Sequence, residues 1–347
     1  MKRISTTLIT CIALIVASTV YSENDKARTM YGQKNAIFAG SIFLRGHDAS
    51  TKKLLDDKDI KLFASVLKKN NIKYAYLFAG PFSKTGDLPE YPFTSLAREN
   101  LSKLKQYYPE LILLPWIGGI QNKQVFLNDK NWTSNAVNSI KKLIDYLPVD
   151  GILLDFEYML IKEKGLIKGT REREKIWREE YGNNLNLFHR MVREKLPDIF
   201  IATVVTSTAP GTKPWKRKNQ YSEIRQLSEY VNQMSFLYYD TNIHDENEFI
   251  ANLNYQIADL KKLKKEINNK KIQYLIALGT FENQKNLRKY RDMRYENIPY
   301  TLKQLKYAIL QNTEKTRLVD GITIYCFWET DEKEWQELYT YWLNGNI

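Results

Sequence analysis

The amino-acid sequence predicts a single-domain (β/α)8 TIM barrel, an α/β fold in which eight parallel strands alternate with helices. Eight short apolar runs alternate along the 347 residues with longer amphipathic segments. Within each run the apolar residues are nearly continuous, as in parallel strands that are buried on both faces. Neither a low-complexity linker nor a short-period repeat interrupts the chain. This number and order of elements is typical of one (β/α)8 barrel.

We place each strand where an apolar run is bounded by polar or turn-forming residues. The predicted strands are Ala36–Leu44, Tyr74–Phe78, Leu111–Ile117, Gly151–Glu157, Phe200–Val205, Gln233–Tyr239, Ile272–Leu278 and Gly321–Phe327. The predicted helices are Thr51–Asn70, Thr94–Tyr108, Trp132–Tyr146, Arg171–Lys195, Gln220–Tyr230, Glu246–Asn269, Tyr300–Asn312 and Glu334–Leu343. The segment between strands seven and eight is short and mostly helical in its spacing. We therefore expect no large insertion there.

Residues 1–22 have the pattern of a secretory signal peptide. Lys2 and Arg3 form a charged start, Leu8 to Ala17 an apolar middle, and Ser22 ends a small-residue cleavage site. The apolar middle is too short to span a bilayer comfortably. We therefore expect a cleaved signal peptide, a barrel formed by residues 23–347, a secreted or periplasmic location and no stable membrane insertion.

The composition argues against several kinds of site. The formal net charge is +12, but much of the excess lies in helical runs such as 261–265, which favours a solvated surface over attraction to an acidic polymer. No nucleic-acid-binding motif accompanies it, so nucleic acid is not an expected partner. Cys326 is the one cysteine outside the predicted signal, and the three histidines are scattered. We therefore predict a monomer without a disulfide, a metal site or a cofactor.

The fourth predicted strand carries two carboxylates in an otherwise apolar run. Side chains alternate between the faces of a strand. Leu153, Asp155 and Glu157 therefore share one side, and Ile152, Leu154 and Phe156 share the other. The two carboxylates would lie about 6–7 Å apart at the C-terminal end of the strand. Burying two acids requires partners or a functional role. Because barrel enzymes place their chemistry at this end, the pair predicts an active site.

Polar and aromatic residues also follow the other strands at the same end of the barrel. The candidates are Trp116, Gly118 and Gly119 after strand three, Tyr158 after strand four, Tyr239 and Asp240 after strand six, and Trp328 after strand eight. The C-terminal ends of barrel strands converge on one mouth, so these side chains are expected to meet the two acids.

At these strand ends the chain resembles glycoside hydrolase family 18, the chitinase-like barrels. The fourth-strand signature of that family is D-G-x-D-x-D-x-E. Residues 150–157 match it at Asp150, Gly151, Asp155 and Glu157. This motif is fairly specific, whereas the matches at the other strands are weak singly but occur in the order that the family has.

The glycine pair Gly118 and Gly119 resembles the end of the family's third strand. Tyr239 and Asp240 resemble the sixth-strand motif M-x-Y-D, with leucine in place of methionine. A rival alignment of this strand over residues 234–237 keeps the methionine but loses both polar groups. We therefore prefer Tyr239 and Asp240.

The resemblance implies hydrolysis of a β-1,4 bond after an N-acetylhexosamine, with retention and with the substrate's own acetamido oxygen as nucleophile. Glu157 would protonate the departing glycosidic oxygen and then activate water. Asp155 would hold the acetamido N–H, and Tyr239 would donate a hydrogen bond to the acetamido carbonyl oxygen. Asp240 would bind the sugar or its acetamido group, and Trp328 would lie beneath the distorted ring.

Two positions depart from the family pattern. Leu153 stands where the family commonly has a third acid that shares a proton with Asp155, so we expect Asp155 to be a more isolated charge. Trp116 stands where the family often has serine, and could narrow the floor of the cleft.

Three functions fit these residues. The first is an endo-acting hydrolase of glycans that contain N-acetylglucosamine, such as chitin or peptidoglycan. The second is a catalytically weak or inactive glycan-binding barrel, and the third is a glycosidase of another specificity on the same fold. Glu157 favours the first, because glycan-binding relatives usually lose this residue, and Leu153 favours the second.

Overall fold

The computed structural model describes residues 33–49, 51–158, 181–206, 221–269, 271–312 and 317–344. Within them, eight parallel strands close into a barrel in chain order, so the predicted fold is confirmed. The strands are β1 (Asn35–Ala39), β2 (Ile72–Phe78), β3 (Ile112–Ile120), β4 (Gly151–Glu157), β5 (Phe200–Thr206), β6 (Gln233–Leu237), β7 (Gln273–Gly279) and β8 (Gly321–Tyr325). The predicted signal peptide lies outside the described residues.

Helices follow the strands around the outside of the barrel. They are α1 (Asp57–Lys69), α2 (Ser95–Tyr107), α3 (Lys130–Tyr146), α4 (Asn183–Lys195), α5 (Tyr221–Leu227), α6 (Glu246–Glu266), α7 (Ile298–Asn312) and α8 (Glu332–Leu338). Between β7 and β8 the described residues hold α7 and a helical turn at Lys285–Arg288, without a large insertion. No helix in the described part of the chain is long and apolar enough to cross a membrane.

The first strand is shorter than predicted. It ends at Ala39, and a helical turn over Ile42–Arg45 follows it. Phe43 and Leu44 are buried from this turn, so the apolar run continues although the strand does not. The turn closes at Gly46, whose φ of 73° lies in the left-handed region that glycine adopts without strain. Hydrophobicity alone therefore could not locate the end of the strand.

Helix α1 begins later than predicted because of its N-cap. The Asp56 side chain accepts a hydrogen bond from the Asp59 backbone N–H, and the Asp59 side chain bonds the Asp56 backbone in return. This reciprocal pair satisfies N–H groups that a helix start otherwise leaves unpaired. The residues before Asp56 consequently lie outside the helix.

Alternation along β4 divides the core as predicted. Ile152, Leu154 and Phe156 belong to the large apolar core between the strands and the helices. Leu153 belongs to a separate apolar cluster, within the barrel, and is fully buried. Asp155 and Glu157 follow on the same face as Leu153 and are partly exposed. The strand thus changes from an apolar base to a polar end at the mouth of the barrel.

Candidate active site

A cleft of about 320 Å³ lies at the C-terminal mouth of the barrel. It is lined by Phe78, Pro81, Trp116, Gly118, Gly119, Ile120, Gln124, Asp155, Glu157, Leu237, Tyr239, Asp240, Leu287 and Tyr325. The structure therefore brings together seven of the nine residues that the sequence singled out. Trp328 and Tyr158 are not among the lining residues.

The pairing of β3 with β4 sets the position of the two acids. Gly118 is the register partner of Asp155, and Ile120 is the partner of Glu157. A Cβ atom added at Gly118 would lie 3.0 Å from the Asp155 carbonyl oxygen, and one at Gly119 would lie 2.8 Å from a methyl group of Val125. Gly118 therefore allows the backbone of β3 to pass close to Asp155, and Gly119 allows the loop that carries Val125 to pack against β3.

Asp150, the first residue of the fourth-strand motif, lies at the other end of β4 and has a structural role. Its carboxylate accepts a hydrogen bond of 2.7 Å from the Leu113 backbone N–H and a contact of 2.7 Å from the Lys105 ammonium group. These bonds tie the start of β4 to β3. Asp150 thereby helps to fix the register that places Asp155 and Glu157.

Asp155 has a hydrogen-bond partner that the sequence did not predict. The Trp116 indole N–H donates to its Oδ2 atom over 2.9 Å. The ring of Trp116 is held by edge-to-face contacts with Phe38 and Phe78, each with 4.8 Å between ring centroids. The expectation that Leu153 leaves Asp155 isolated is therefore wrong, because a side chain from the neighbouring strand supplies a donor.

Tyr239 lies in the field of both acids. Burial raises the pKa of its hydroxyl well above the usual range, and the charges of Asp240, Asp155 and Glu157 act in the same direction. The hydroxyl therefore stays protonated and can donate a hydrogen bond into the cleft. In the rival alignment, by contrast, Met234 is fully buried in the core outside the barrel.

Tyr325, at the end of β8, is a cleft residue that sequence reasoning missed. Its ring stacks on Tyr239, with 5.0 Å between centroids and 13° between planes. Its hydroxyl donates a hydrogen bond of 3.0 Å to the Gln284 side chain. In the sequence Tyr325 lies inside an apolar run that continues to Trp328, so hydrophobicity gave no signal for it, and the prediction fell on Trp328 three residues further on.

Trp328 is placed differently from the expectation. It lies in a short helical turn, Phe327–Glu329, that follows β8, and it does not line the cleft. Its side chain is 46% exposed and meets Tyr325 edge to face at 5.7 Å. Tyr325, and not Trp328, therefore occupies the wall of the cleft beside Tyr239.

Trp328 lines a neighbouring pocket of about 610 Å³, called here the outer pocket. Phe78, Trp116 and Tyr325 line both the cleft and the outer pocket, so they form the wall between them. The remaining lining residues include Arg45, Asp48, Lys53, Asp59, Leu62, Phe63 and Phe327. The outer pocket thus combines an aromatic surface with both signs of charge.

Tyr158, the residue after β4, packs against Tyr181 and does not line the cleft. Its ring lies 5.5 Å from that of Tyr181. The Tyr181 hydroxyl donates a hydrogen bond of 2.6 Å to the Phe156 carbonyl oxygen. Burial raises the pKa of Tyr181, and so do the charges of Glu157 and Asp155. Tyr181, which the sequence did not suggest, therefore supports the end of β4 from beside the acids.

No group of three or more His, Cys, Asp and Glu side chains in the described ranges is arranged to hold a metal ion. The chemistry that the cleft offers is that of carboxylates and tyrosine hydroxyls in an aromatic setting. Most glycosidases use a pair of carboxylates, and (β/α)8 barrels carry their chemistry at this mouth, so the arrangement is compatible with a glycosidase.

Comparison with known proteins identifies the family. The family model described as Glycosyl hydrolases family 18 matches residues 60–342, and the chain belongs to that family. This membership supports a glycoside hydrolase. The comparison with curated proteins finds no match.

Solved structures share the fold at low identity. The spore cortex-lytic enzyme SleL of Bacillus cereus aligns with a TM-score of 0.56 and 13% identity over 90% of this chain and 74% of that chain. The C-terminal domain of a putative chitinase from Desulfitobacterium hafniense aligns with a TM-score of 0.60 and 13% identity, over 89% of this chain and 98% of that chain. The Group IV chitinase of Ostrinia furnacalis, in complex with allosamidin, aligns with a TM-score of 0.55 and 11% identity, over 90% of this chain and 99% of that chain.

Proposed function

We propose that this protein hydrolyses β-1,4 bonds in glycans that contain N-acetylglucosamine, with retention and with the substrate's acetamido group as nucleophile. The observation that carries the proposal is the cleft in which Asp155, Glu157, Tyr239 and Asp240 meet at the mouth of the barrel. Family membership supports the same class of reaction. Chitin-like glycans and peptidoglycan are the substrate classes that we propose, since both contain this sugar.

Glu157 is the proposed general acid and base. It would donate a proton to the glycosidic oxygen as the bond to the anomeric carbon breaks, and would then accept a proton from the water that completes hydrolysis. Its position at the end of β4, partly exposed in the cleft, gives it access to both substrate and water.

The remaining polar groups would act on the acetamido group. The Asp155 carboxylate would accept a hydrogen bond from the acetamido N–H and stabilise the positive charge of the cyclic intermediate. The Tyr239 hydroxyl, which burial keeps protonated, would donate to the acetamido oxygen. Asp240 is almost fully buried and would bind the sugar from the same side. The Trp116 N–H holds Asp155 before the substrate arrives, which lowers the cost of reorganisation.

The outer pocket would bind further sugar units. Its aromatic surface, with the exposed ring of Trp328, suits stacking on the apolar face of a sugar. Since the cleft and the outer pocket adjoin along a shared wall, a glycan could extend across both. This arrangement favours endo action on a chain that lies across the mouth. The signal peptide predicted at residues 1–22 supports action outside the cell.

A catalytically weak glycan-binding barrel is the second candidate. The observation that favours it is Leu153, which is fully buried and cannot hydrogen-bond to Asp155. The two candidates share the site and differ in turnover. A glycosidase of another specificity would show turnover, but on glycans without N-acetylglucosamine.

The test compares Glu157→Gln with the unchanged protein on chromogenic chitobiose and chitotriose. We expect hydrolysis to fall by at least about 10³-fold, because the general acid is lost, while the affinity for chitotriose measured by calorimetry stays within about threefold. Glu332→Gln, a change at an exposed residue of α8, is the matched control and should keep full turnover.

Each other outcome has a definite meaning. Equal turnover in Glu157→Gln and the unchanged protein would remove Glu157 from the mechanism. Binding of chitotriose without turnover by the unchanged protein would establish the glycan-binding barrel. Absence of both binding and turnover would overturn the proposal for chitin-like glycans, and absence of turnover on purified peptidoglycan as well would overturn the proposed substrate class.

A further inference from the structure

The hydrogen bond between Trp116 and Asp155 joins two neighbouring strands inside the cleft. The indole Nε1 lies 2.9 Å from Asp155 Oδ2. Trp116 packs edge to face against Phe38 and Phe78, and lies 6.3 Å from the ring of Tyr325. Because aromatic rings surround the indole on several sides, its N–H is aimed in one direction.

The neighbouring residues leave room for this bond. A Cβ atom at Gly118 would lie 3.3 Å from Trp116 Nε1 and 3.5 Å from Asp155 Cβ, so a larger residue would crowd both partners. Leu153, the register partner of Trp116, is fully buried and apolar. The donor to Asp155 therefore comes from β3 and not from the residue two positions earlier on its own strand.

An indole N–H differs chemically from a carboxylic acid in this position. It donates one hydrogen bond, accepts none and does not release its proton at ordinary pH. A neighbouring acid can share a proton with an aspartate and so allow either charge state. A hydrogen bond from an N–H group favours the charged carboxylate over the neutral acid.

We propose that Trp116 is a positioning residue that holds Asp155 in one orientation and in its ionised form, in place of a neighbouring acid. The inference deepens the proposed function, on which its kinetic consequence rests. An Asp155 fixed in this way is ready to accept the acetamido N–H and to oppose the positive charge that develops beside it. The protein would thus catalyse the reaction without proton exchange between two acids inside the barrel.

Several titratable groups lie around Asp155 and contribute to the pH dependence of kcat/KM. Glu157 lies on the same strand, Tyr239 and Asp240 follow β6, Tyr325 ends β8, and Tyr181 lies ahead of α4. Burial raises the pKa values of all three tyrosines and the Asp155 charge adds to this, so their hydroxyls remain neutral through the useful pH range. The acidic limb of the profile therefore reports the carboxyl groups.

The test replaces Trp116 by phenylalanine, which removes the N–H and keeps an aromatic ring. We expect kcat to fall about 10-fold or more, while KM changes less than about threefold. Because the charged form of Asp155 loses a hydrogen-bond donor, the acidic limb of the pH profile of kcat/KM should move upward by about one pH unit. Trp132→Phe is the matched control. It removes an indole hydrogen bond of 3.1 Å to the Ser83 carbonyl oxygen, outside the cleft, and should leave the limb in place.

A second readout is independent of substrate. Carboxyl-labelled aspartate, followed by NMR and assigned with Asp155→Asn, gives the titration of Asp155 directly in the folded protein. An upward shift of the Asp155 pKa in Trp116→Phe, without a shift in Trp132→Phe, supports the inference even if no glycan is turned over. Absence of turnover would contradict only the proposed function. The same titration in Trp116→Phe and the unchanged protein would overturn the inference, whatever the activity.

Discussion

The cleft and the outer pocket share a wall of Phe78, Trp116 and Tyr325 but are built differently. The cleft is the smaller of the two, and its carboxylates and tyrosine hydroxyl converge from strands on different sides of the barrel. The outer pocket is larger, with aromatic rings and charges supplied mostly by segments beyond the ends of β1 and β8. Under the proposed function, bond breaking would take place in the cleft and the binding of further sugar units in the outer pocket. Changes in the two regions should therefore affect different kinetic constants.

The largest effect is expected in the cleft. Tyr239→Phe should lower kcat about 100-fold with little change in KM, because the hydroxyl would act on charge that develops during the reaction. Steady-state kinetics on chitotriose provide the measurement. Tyr238→Phe is the control, since the Tyr238 hydroxyl donates instead to Asn252 at 3.1 Å, behind the site. A rise in KM with kcat unchanged would show that Tyr239 acts in substrate binding and not in the reaction.

A smaller effect is expected in the outer pocket. Trp328→Ala should raise KM about 10-fold on longer oligosaccharides while kcat changes little, because stacking contributes to binding in both ground and transition states. Kinetics on a series of chain lengths test this, and the effect should vanish on the shortest substrate. Tyr339→Ala, at a residue that is 47% exposed and outside both pockets, serves as control. A loss of kcat on the shortest substrate would show that Trp328 belongs to the reacting subsite after all.

The smallest expected effect is on the pH dependence of stability. It concerns Glu296, a buried residue beside the cleft. Its carboxylate accepts a hydrogen bond of 2.5 Å from the Thr241 hydroxyl, next to Asp240. Burial raises the pKa of Glu296 to about 8, and the charge of Asp240 adds to this. Since the folded protein then binds a proton that the unfolded chain releases near its ordinary pKa of 4.5, stability should fall as the pH rises between these values.

Glu296→Gln should flatten this dependence by up to about 1.4 kcal/mol per pH unit, the value for one proton. Urea unfolding at several pH values between 5 and 8 measures it. The exposed Glu332→Gln is the control for the loss of a carboxylate. Parallel slopes in Glu296→Gln and the unchanged protein would show that Glu296 ionises normally.

Local patterns predicted the barrel and the core of the cleft well. Alternation along β4 placed Asp155 and Glu157 on one face, since successive side chains of a strand point in opposite directions. The prediction for Trp328 rested instead on a strand that ran to Phe327, whereas the chain leaves the strand at Tyr325 and turns helically from Phe327. A local change of backbone conformation redirects side chains without any change in hydrophobicity.

The sequence by itself determined the barrel and the two acids, because strand periodicity and the fourth-strand motif are local properties of the chain. Only the tertiary structure decided what surrounds the acids. The bond from Trp116 to Asp155 depends on the register between β3 and β4, and the stacking of Tyr325 on Tyr239 joins residues that are distant in sequence. Such contacts arise when the barrel closes, since closure sets the distances between side chains on different strands.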